Sequence, residues 1–546
     1  METDSDNESD FSGFESDDLP LADLVDSDEE LNDEQNDSDK ENEPVRDDDK
    51  WTENDHSDHP KQAFRGPEPG PRFDLDPDQN EWDFMDMFFP MFLIELLVEQ
   101  TNLFASQKME VKFDKAWRPV TVAEIKAWLG IRIYMSIVQL PQMAMYWSTD
   151  VLYGNFSVRR IMTRDRFMKV LQYLHCNDRT KMKPKGHKDH DKLYLIRPFL
   201  DAVRKLCLTL YNPHRNVSID EAMVKFRGRL GFRQYMPLKP ARYGVKVWVR
   251  ADPVNGYVND FQVYTGKDAN TAEVGLATRV VLDLSRDIKG MFYIVNVDNF
   301  FTSPVLFEEL LKQETYARGT VRTNRKGYPS SLLGKKKVQE QGDYVFATKG
   351  EQLACVWMDK KPIYTLSTAE NPKDIGATVL RKKRNGEVHQ VPAPRIIPEY
   401  NNNMNGVDHA DQLRTEYPTF RTSRKWWTYM FFFILDTAIT NGYVVMRESP
   451  FHQQRSRTGK AKDRTVLDFR MNLSKQLIGD YCENGAAKMA TVKAGHFPGH
   501  SEKRGRCRQC TKQKRRHECN VICLECNVHI CVPCFKDWHV ELANSS

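Results

Sequence analysis

Seven of the eleven cysteines lie in the last forty residues, together with three histidines. Three pairs are spaced Cys-x2-Cys, which places two thiolates on one tight turn and suits a tetrahedral zinc ion. The ten candidate ligands are Cys507, Cys510, Cys519, Cys523, Cys526, Cys531, Cys534, His517, His529 and His539. Two zinc ions need eight ligands, so the spacing predicts a zinc-folded module.

This module is also strongly basic. Its cations are Lys503, Arg504, Arg506, Arg508, Lys512, Lys514, Arg515 and Arg516. A small metal-folded unit with such a surface favours a polyanionic partner.

Three aspartates indicate a second metal-dependent chemistry. Asp220 and Asp298 follow strand-like runs, and Asp408 begins a helical stretch. If the fold brings them together, their carboxylates would hold two hard divalent cations, the arrangement that cuts and joins phosphodiesters. The alternative is that all three are structural acids in helix caps and turns.

The elements around these aspartates predict an α/β layer. Residues from about 80 to 215 have helical spacing of apolar positions, as in Phe167, Val170 and Leu174. From 216 to about 320 the pattern is strand, hairpin, helix, strand, helix, with acids at strand ends. Residues from about 322 to 395 are rich in Lys, Gly and short β-like runs, which predicts a β-rich insertion.

Charge is divided unevenly along the chain. The net charge is +2, but residues 1–60 carry −22 and the remainder carries +24. We expect residues 1 to about 75 to be disordered, because so few apolar side chains cannot offset the entropy of ordering. Acid-flanked serines such as Ser16 and Ser27 suit casein kinase II. Two interpretations remain for this tail, competition with DNA for the basic body and a plain solubilising role.

No membrane or secretory segment is predicted. The sequence does not open on a signal-peptide pattern, so we do not expect secretion. The apolar stretches Phe84–Val98 and Trp426–Ala438 are interrupted by acids and are shorter than a bilayer span, so we interpret both as buried helices. The scattered cysteines Cys176, Cys207, Cys355 and Cys482 fit reduced thiols in an intracellular compartment.

Several ordered motifs resemble the piggyBac family of DNA transposases. The resemblance runs from about residue 80 to about 540. The motifs are Met162-Thr-Arg-Asp-Arg-Phe167, Ser218-Ile-Asp220-Glu with Phe226-Arg-Gly-Arg229, Tyr243-Gly244, Val297-Asp298-Asn299, Gly406-Val-Asp408-x2-Asp411-Gln412, and the spaced cysteines ending Cys534-Phe535-x3-His539.

This resemblance implies an RNase H-like catalytic core in which Asp220, Asp298 and Asp408 bind two Mg²⁺ ions. Asp411 would orient the metal site or add an outer ligand; its alternative is a first-turn acid that complements the helix dipole. The implied reaction is nicking at transposon ends, hairpin formation on the element and insertion at TTAA sites with seamless repair.

The resemblance also implies a homodimer that binds double-stranded DNA at terminal inverted repeats. The predicted domains are a disordered acidic tail at 1–75, a helical dimerisation and DNA-binding domain at 76–215 and 418–498, a catalytic core at 216–321 and 397–417, a β-rich insertion at 322–396 and a zinc domain at 499–546. The candidate phosphate contacts are Arg164, Arg166, Arg227, Arg229, Arg322, Arg325, Lys326, Arg424, Lys425, Arg515 and Arg516. Each of them is equally interpretable as a solvated surface charge.

In the zinc module the family pattern matches Cys507, Cys510, Cys523, Cys526, Cys531, Cys534 and His539. An eighth ligand must come from His517, Cys519 or His529, and the sequence does not choose among them. A cross-braced module resembling a RING or plant homeodomain finger is expected.

Two other functions stay open. RING-like modules also serve ubiquitin ligases and readers of histone tails, so a chromatin or protein-interaction factor is one alternative. A domesticated transposase that binds DNA without cutting it is the other. The ordered motifs favour a nuclear, Mg²⁺-dependent and zinc-containing transposase, and basic runs such as Arg381–Arg384 suit nuclear import.

Overall fold

The computed structural model describes residues 51–544 except 151–152, 154–155, 238–241, 267–274, 335–336, 384, 456–460, 463, 484–497 and 525. Most of the acidic tail, residues 1–50, therefore lies outside the described residues. The chain forms two compact units. The first contains Met1–Asn155 and Arg164–Gly479, and the second contains Phe156–Thr163 and Asp480–Ser546.

The described residues form fourteen α-helices and nineteen strands. The helices are α1 (Glu81–Phe88), α2 (Met91–Val111), α3 (Val122–Ile137), α4 (Phe156–Ile161), α5 (Arg164–Tyr173), α6 (Arg197–Thr209), α7 (Leu276–Leu284), α8 (Pro304–Lys312), α9 (Ile396–Asn403), α10 (Gly406–Thr415), α11 (Trp426–Glu448), α12 (Val466–Ile478), α13 (Arg508–Lys512) and α14 (Phe535–Asn544). The strands are β1 (Thr52–Glu53), β2 (Gly70–Pro71), β3 (Tyr211–Asn212), β4 (Asn216–Lys225), β5 (Gln234–Tyr235), β6 (Tyr243–Ala251), β7 (Val258–Val263), β8 (Ile294–Val297), β9 (Tyr316–Thr320), β10 (Tyr344–Lys349), β11 (Gln352–Met358), β12 (Pro362–Ser367), β13 (Gly376–Lys382), β14 (Val388–Pro394), β15 (Gln454–Arg455), β16 (Ala461–Lys462), β17 (Pro498–Arg506), β18 (Glu518–Cys523) and β19 (Val528–His529).

A ten-stranded sheet is the centre of the first unit. Its order is β1-β10-β11-β12-β9-β8-β4-β6-β5, and β7 also pairs with β6. Only the β4–β8 and β8–β9 ladders are parallel among the ladders described in this sheet. Parallel neighbours end at the same edge, so the residues that follow β8 and β9 lie beside the middle of the longer strand β4.

Apolar residues from the strands and the covering helices form the core of this sheet. Val217 and Ile219 of β4 and Val295 of β8 pack with Val281 of α7 and Leu306 of α8. Val295 and Val297 flank Asn296, whose buried side chain donates to the carbonyl of Val217 at 3.1 Å. The sequence therefore holds β8 rigidly against β4 immediately before Asp298.

Helices from both ends of the first unit pack against each other. α3 packs on α12, where the Ser474 hydroxyl donates to the Gly130 carbonyl at 2.8 Å. α1 packs on α11, where Gly442 leaves room for the backbone of Phe84. α11 has 23 residues, longer than predicted, and is the one described helix that is long and apolar enough alone to cross a membrane. Its apolar window is entirely buried in the protein, which confirms the interpretation as a buried helix.

A second membrane-length candidate is the pair α1 and α2, whose axes are bent by 68° at the break. Pro90 separates the two helices and caps α2. Phe84, Phe88 and Leu93 are buried on this pair, so it also contributes to the core.

The β-rich insertion differs from a separate subdomain. Strands β10, β11 and β12 continue the main sheet, because β12 pairs antiparallel with β9. The hairpin β13–β14 packs Val379 and Val391 against Trp357 of β11. The insertion therefore leads directly into α9 and α10.

Residues 51–75 were expected to be disordered, and the structure corrects this expectation. β1 pairs with β10, and β2 pairs with β3. The Trp51 indole donates to the Gly327 carbonyl at 3.1 Å, and the ring of Phe64 packs edge-on against Tyr293. Aromatic anchors and strand pairing supply burial here that the polar composition of this segment did not predict. We call residues 51–72 the strap.

Candidate active site and zinc module

Asp220, Glu221 and Asp298 lie together at the centre of the sheet. One carboxylate oxygen from each side chain lies within 4.8 Å of the others. Their positions follow from strand register, because Ile219 of β4 aligns with Val297, the last residue of β8. Asp220 and Asp298 are therefore the next residues on two adjacent parallel strands.

The electrostatics of this cluster act most strongly on Asp298. Burial raises the pKa of its carboxyl group above the ordinary value, and the neighbouring charge of Glu221 raises it further. The backbone N–H groups of Phe300 and Phe301 and the charge of Arg322 act in the opposite direction. Three acids in one half-buried site form an anionic centre that a cation would stabilise.

A basic loop supports the segment that follows Asp298. Arg322 donates to the side-chain oxygen of Asn299 at 3.1 Å. Arg325 donates to the carbonyls of Asn299 at 2.9 Å and Phe300 at 2.8 Å. These contacts hold the backbone on which the Asp298 carboxyl group stands.

Asp408 lies outside the cluster of three acids. It is exposed in the first turn of α10, a helix that packs on β4 and β6. Gly406 makes this packing close, since a Cβ there would stand 2.4 Å from the Ser218 hydroxyl. Asp411, one turn further on, accepts a hydrogen bond from Arg414 at 2.7 Å. Two of the three predicted triad residues, Asp220 and Asp298, therefore lie together, and Glu221 lies beside them.

The predicted DNA contacts divide by exposure. The exposed ones are Arg164, Arg227, Arg229, Arg322, Lys326, Arg424, Arg515 and Arg516. Arg325 and Lys425 are partly exposed, and Lys425 donates to the Gln172 carbonyl at 2.9 Å. Arg166 is a correction, because it is 4% exposed and forms a buried ion pair with Glu124 at 2.6 Å. Helical spacing does not distinguish such a structural arginine from a phosphate contact.

Two groups of zinc-type ligands form in the second unit. The Sγ atoms of Cys507, Cys510, Cys531 and Cys534 cluster together. Cys510 Sγ lies 3.8 Å from that of Cys531 and 3.6 Å from that of Cys534. Tetrahedral zinc with bonds of about 2.3 Å requires sulfur atoms about 3.8 Å apart, so the geometry fits this ion.

The ionisation of Cys507 agrees with a ligand role. Burial raises the pKa of its thiol, but the backbone N–H groups of Cys510 and Cys531 donate to the sulfur, and the net effect lowers the pKa to about 7. The thiolate is the form that coordinates zinc.

The second group contains Cys523, Cys526 and His539. His539 Nε2 lies 3.7 Å from Cys526 Sγ, and its Nδ1 donates to the Phe535 carbonyl at 2.7 Å, which orients the ring for coordination. Of the three candidates for an eighth ligand, His517, Cys519 and His529, none joins either group among the described residues, so the fourth ligand of the second group stays a prediction. The Cys519 thiol instead donates to the Val521 carbonyl at 3.4 Å.

The two groups use the cysteine pairs in alternation. The first and third pairs form one group, and the second pair joins His539 in the other. This alternation is the cross-braced connectivity that was expected for the module.

The boundary of the second unit also differs from the predicted domains. Phe156–Thr163 groups with the zinc segment rather than with the helices around it. Glu483 explains this, because its N–H donates to the Ile161 carbonyl at 2.9 Å and its carboxylate accepts from the Thr163 N–H at 2.5 Å.

Comparison with known proteins assigns the chain to a family through residues 81–443. A protein-family model described as Transposase IS4 matches residues 81–443. Human PiggyBac transposable element-derived protein 3 is 27% identical over 483 residues, which is 84% of this chain and 76% of that protein. The chain belongs to the piggyBac transposase family. Human PiggyBac transposable element-derived protein 5 is also 27% identical, over 73% of this chain and 77% of its own length.

The fold of this piggyBac-family chain matches that of a solved relative. A piggyBac transposase, determined by cryo-electron microscopy as a synaptic complex with hairpin DNA, superimposes with a TM-score of 0.64. It is 24% identical and covers 86% of this chain and all of its own. The mixed α/β fold predicted from the motifs is therefore confirmed.

Sequence reasoning missed Glu221 within the piggyBac-like motif Ser218-Ile-Asp220-Glu. Neighbouring residues of a strand normally point to opposite faces, which argues against pairing Glu221 with Asp220. In the structure, however, a carboxylate oxygen of Glu221 lies with those of Asp220 and Asp298. The adjacent acids in the motif were the available signal.

Proposed function

We propose that this chain is a DNA transposase of the piggyBac type that cuts and joins transposon ends at TTAA sites. The observation that carries the proposal is that Asp220 of β4 and Asp298, which directly follows β8, lie close together in a chain that matches this family. Five strands of the sheet support an RNase H-like core. In the order of the chain they are β4, β6, β7, β8 and β9, and side by side in the sheet they run β7-β6-β4-β8-β9.

The acidic cluster fits a divalent metal. Its gathered carboxylate oxygens are the donors that Mg²⁺ prefers, and Asp220, Asp298 and Asp408 are the proposed ligands. Two bound Mg²⁺ ions would supply activation of the attacking oxygen and stabilisation of the leaving oxygen. Glu221 adds negative charge beside Asp298, and Arg325 fixes the backbone after it. In this proposal both residues help to set up the acids for a phosphate of the DNA.

Asp408 would complete the site from α10. The Gly406–Ser218 contact already brings the start of this helix onto β4, the strand that carries Asp220. We propose that the third acid joins the other two when metal and DNA are bound. Asp411, held by Arg414, would steady the helix from its next turn.

The exposed arginines and lysines favour backbone contacts with DNA. We propose that the split helical region mediates homodimerisation on terminal inverted repeats. Two structural Zn²⁺ ions would fold the basic module, with Arg515 and Arg516 facing the repeat DNA. The proposed location is the nucleus, and the acidic tail is a proposed substrate of casein kinase II.

An excision assay in cells tests this function. A reporter interrupted by the element's flanking ends at TTAA would be restored by the wild type and not by Asp298→Ala. Asp374→Ala, an exposed acid outside the cluster, is the matched control and should excise normally at equal protein abundance. Restoration by Asp298→Ala would contradict the proposed metal site.

The alternative is a domesticated DNA-binding protein without cutting activity. In that case neither wild type nor Asp298→Ala would restore the reporter, while both would still shift the element's ends in a gel. A ubiquitin-ligase or histone-reading role of the zinc module would leave the ends unbound.

A further inference from the structure

The hairpin β13–β14 is a two-stranded ribbon that is fixed to the protein along one face. Its strands pair with each other in register and with no other described strand. On the inner face Val379 and Val391 pack with Trp357 of β11 and Ile397 of α9. The Trp357 indole also donates to the Pro392 carbonyl at 2.8 Å. The ribbon is therefore firmly supported, and its outward face is open to solvent.

The outward face of the ribbon exposes two large apolar side chains. Leu380 is 66% exposed and Val388 is 59% exposed. Leu380 aligns with Gln390, and Val388 aligns with Lys382, so the two apolar residues are diagonal neighbours on one face. The six outward residues include one cation and no acid; they are Thr378, Leu380, Lys382, Val388, Gln390 and Pro392. Neighbouring apolar groups exposed on an open ribbon indicate an interaction surface.

The charge of the ribbon favours DNA as the partner. Residues 376–394 contain four Arg or Lys residues and one acid, a net charge of +3. The acid is Glu387, which pairs with Lys383 at 3.2 Å, so the positive charge of Lys382 on the outward face is not neutralised by it. A two-stranded ribbon fits the major groove of B-DNA, where thymine presents a methyl group and adenine presents an edge that a Gln amide bonds. The outward face carries the apolar, amide and cationic groups that match this groove.

We propose that the outward face of β13–β14 enters the major groove of the target DNA. Leu380 and Val388 contact thymine methyl groups, Gln390 bonds to an adenine, and Lys382 contacts the phosphate backbone. α9 packs on both strands of the ribbon and on β4, which carries Asp220, so one helix supports the ribbon and the catalytic strand. This inference rests on the proposed transposase function and names the element that selects its TTAA target.

The competing explanation is that the outward face binds another protein. Apolar and cationic side chains also fit an acidic protein surface. In that case DNA affinity would not depend on the thymine methyl groups. Uracil differs from thymine only by the lack of this methyl group and keeps the same base pairing, so deoxyuridine distinguishes the two explanations.

The test compares the double variant Leu380→Ala/Val388→Ala with a matched control in the full chain. Val305→Ala shortens an apolar side chain of α8 that is 61% exposed, close to the exposure of Leu380 and Val388. Binding is measured in EDTA on a duplex that joins the element's own end to TTAA. A second duplex carries deoxyuridine at every thymine of TTAA, and a third carries it at an equal number of thymines outside TTAA.

We expect the wild type to bind the thymine duplex about fourfold more tightly than the TTAA-deoxyuridine duplex for each methyl group that is buried. The double variant should bind these two duplexes equally, and Val305→Ala should keep the wild-type preference. Deoxyuridine outside TTAA should change the affinity little. Equal affinity of the wild type for thymine and deoxyuridine in TTAA, or an unchanged preference in the double variant, would overturn the ribbon contact.

Cutting and joining of the thymine duplex in Mg²⁺ separate this inference from the proposed function. A wild type that neither cuts nor joins would end the transposase proposal, while a thymine preference that the double variant loses would still support the ribbon contact. Cutting and joining without any thymine preference would overturn the ribbon contact alone. Absence of binding to all three duplexes would overturn both.

Discussion

Asp298 is the residue whose surroundings conflict most with its charge. It follows β8, is largely buried, accepts hydrogen bonds from the backbone N–H groups of Phe300 and Phe301, and lies beside Glu221. Burial and a like charge both disfavour its ionised form, so this carboxylate destabilises the metal-free protein. A site that binds a cation carries this cost in free energy while the cation is absent.

Asp298→Asn should therefore stabilise the metal-free protein while abolishing cutting. The folded-state pKa of Asp298 is raised, so its cost is absent at low pH and appears as pH rises through that pKa. We expect a rise in Tm of about 2 °C in EDTA at pH 8, corresponding to roughly 1 kcal/mol or less. Melting curves between pH 4.5 and 8 check this, and a gain that grew toward low pH would contradict it.

At the scale of residues, the sequence predicted which residues form the site better than it predicted what surrounds each of them. Asp220 and Asp298 were identified because each follows a strand-like run and matches a family motif. Arg166 was misjudged and Glu221 was missed, because the buried ion pair of Arg166 with Glu124 and the grouping of Glu221 with the two aspartates depend on tertiary structure. Neither is encoded in local spacing.

At the scale of elements, α10 depends on a very close approach to β4. Gly406 has the Ser218 hydroxyl and the Pro253 backbone nitrogen where a Cβ would be, at 2.4 and 2.9 Å. Pro253 belongs to the turn of the β6–β7 hairpin and cannot easily move. The sequence Gly406-Val-Asp408 thus brings the helix bearing the third acid close to the sheet.

Gly406→Ala should push α10 away from β4. Overpacking of this kind costs about 1–3 kcal/mol, so Tm should fall by a few degrees. Cutting should fall more than tenfold, because Asp408 moves with the helix. Gly376→Ala is the control, since its Cβ would meet only the Tyr344 hydroxyl at 3.7 Å. Equal activity of both variants would show that α10 docking does not govern the site.

The zinc module allows a second test at this scale. Cys510→Ser should release one of two zinc ions and unfold β17–β19, since small metal modules fold with their metal. Cys482→Ser removes a cysteine of the same unit that lies outside both ligand groups, and should keep two. Metal analysis with circular dichroism measures both effects. Full zinc content in Cys510→Ser would reject the four-cysteine site.

For the whole molecule, the sequence predicted the strands and helices of the core but not that the insertion continues the same sheet. The hairpin β6–β7, the strand before Asp298 and the helix α8 were all expected from periodicity and turn residues. That β12 would pair with β9, and so merge the insertion into the sheet, was not predictable. Pairing between strands forty residues apart depends on the position of sheet edges, which a local pattern does not contain.

The acidic tail should lower the affinity for non-specific DNA. Residues 1–50 carry a net charge of −19, and the strap begins at Trp51, whose indole bonds to Gly327 next to the basic loop. Deleting residues 1–50 should raise affinity for random duplex DNA about tenfold at 50 mM salt, and the difference should vanish near 300 mM. A Gly/Ser tail of equal length is the control in fluorescence titrations. Unchanged affinity at low salt would leave only a solubilising role.

The strap also covers one edge of the ten-stranded sheet. β1 pairs with Ala347 and Thr348 of β10, and His56 stacks edge-on against Phe346. An uncovered edge strand is a template to which a second chain can add its own strand, and this is the first step toward fibrous aggregates. Truncation past Trp51 would uncover that template, so the strap protects this sheet edge against self-assembly.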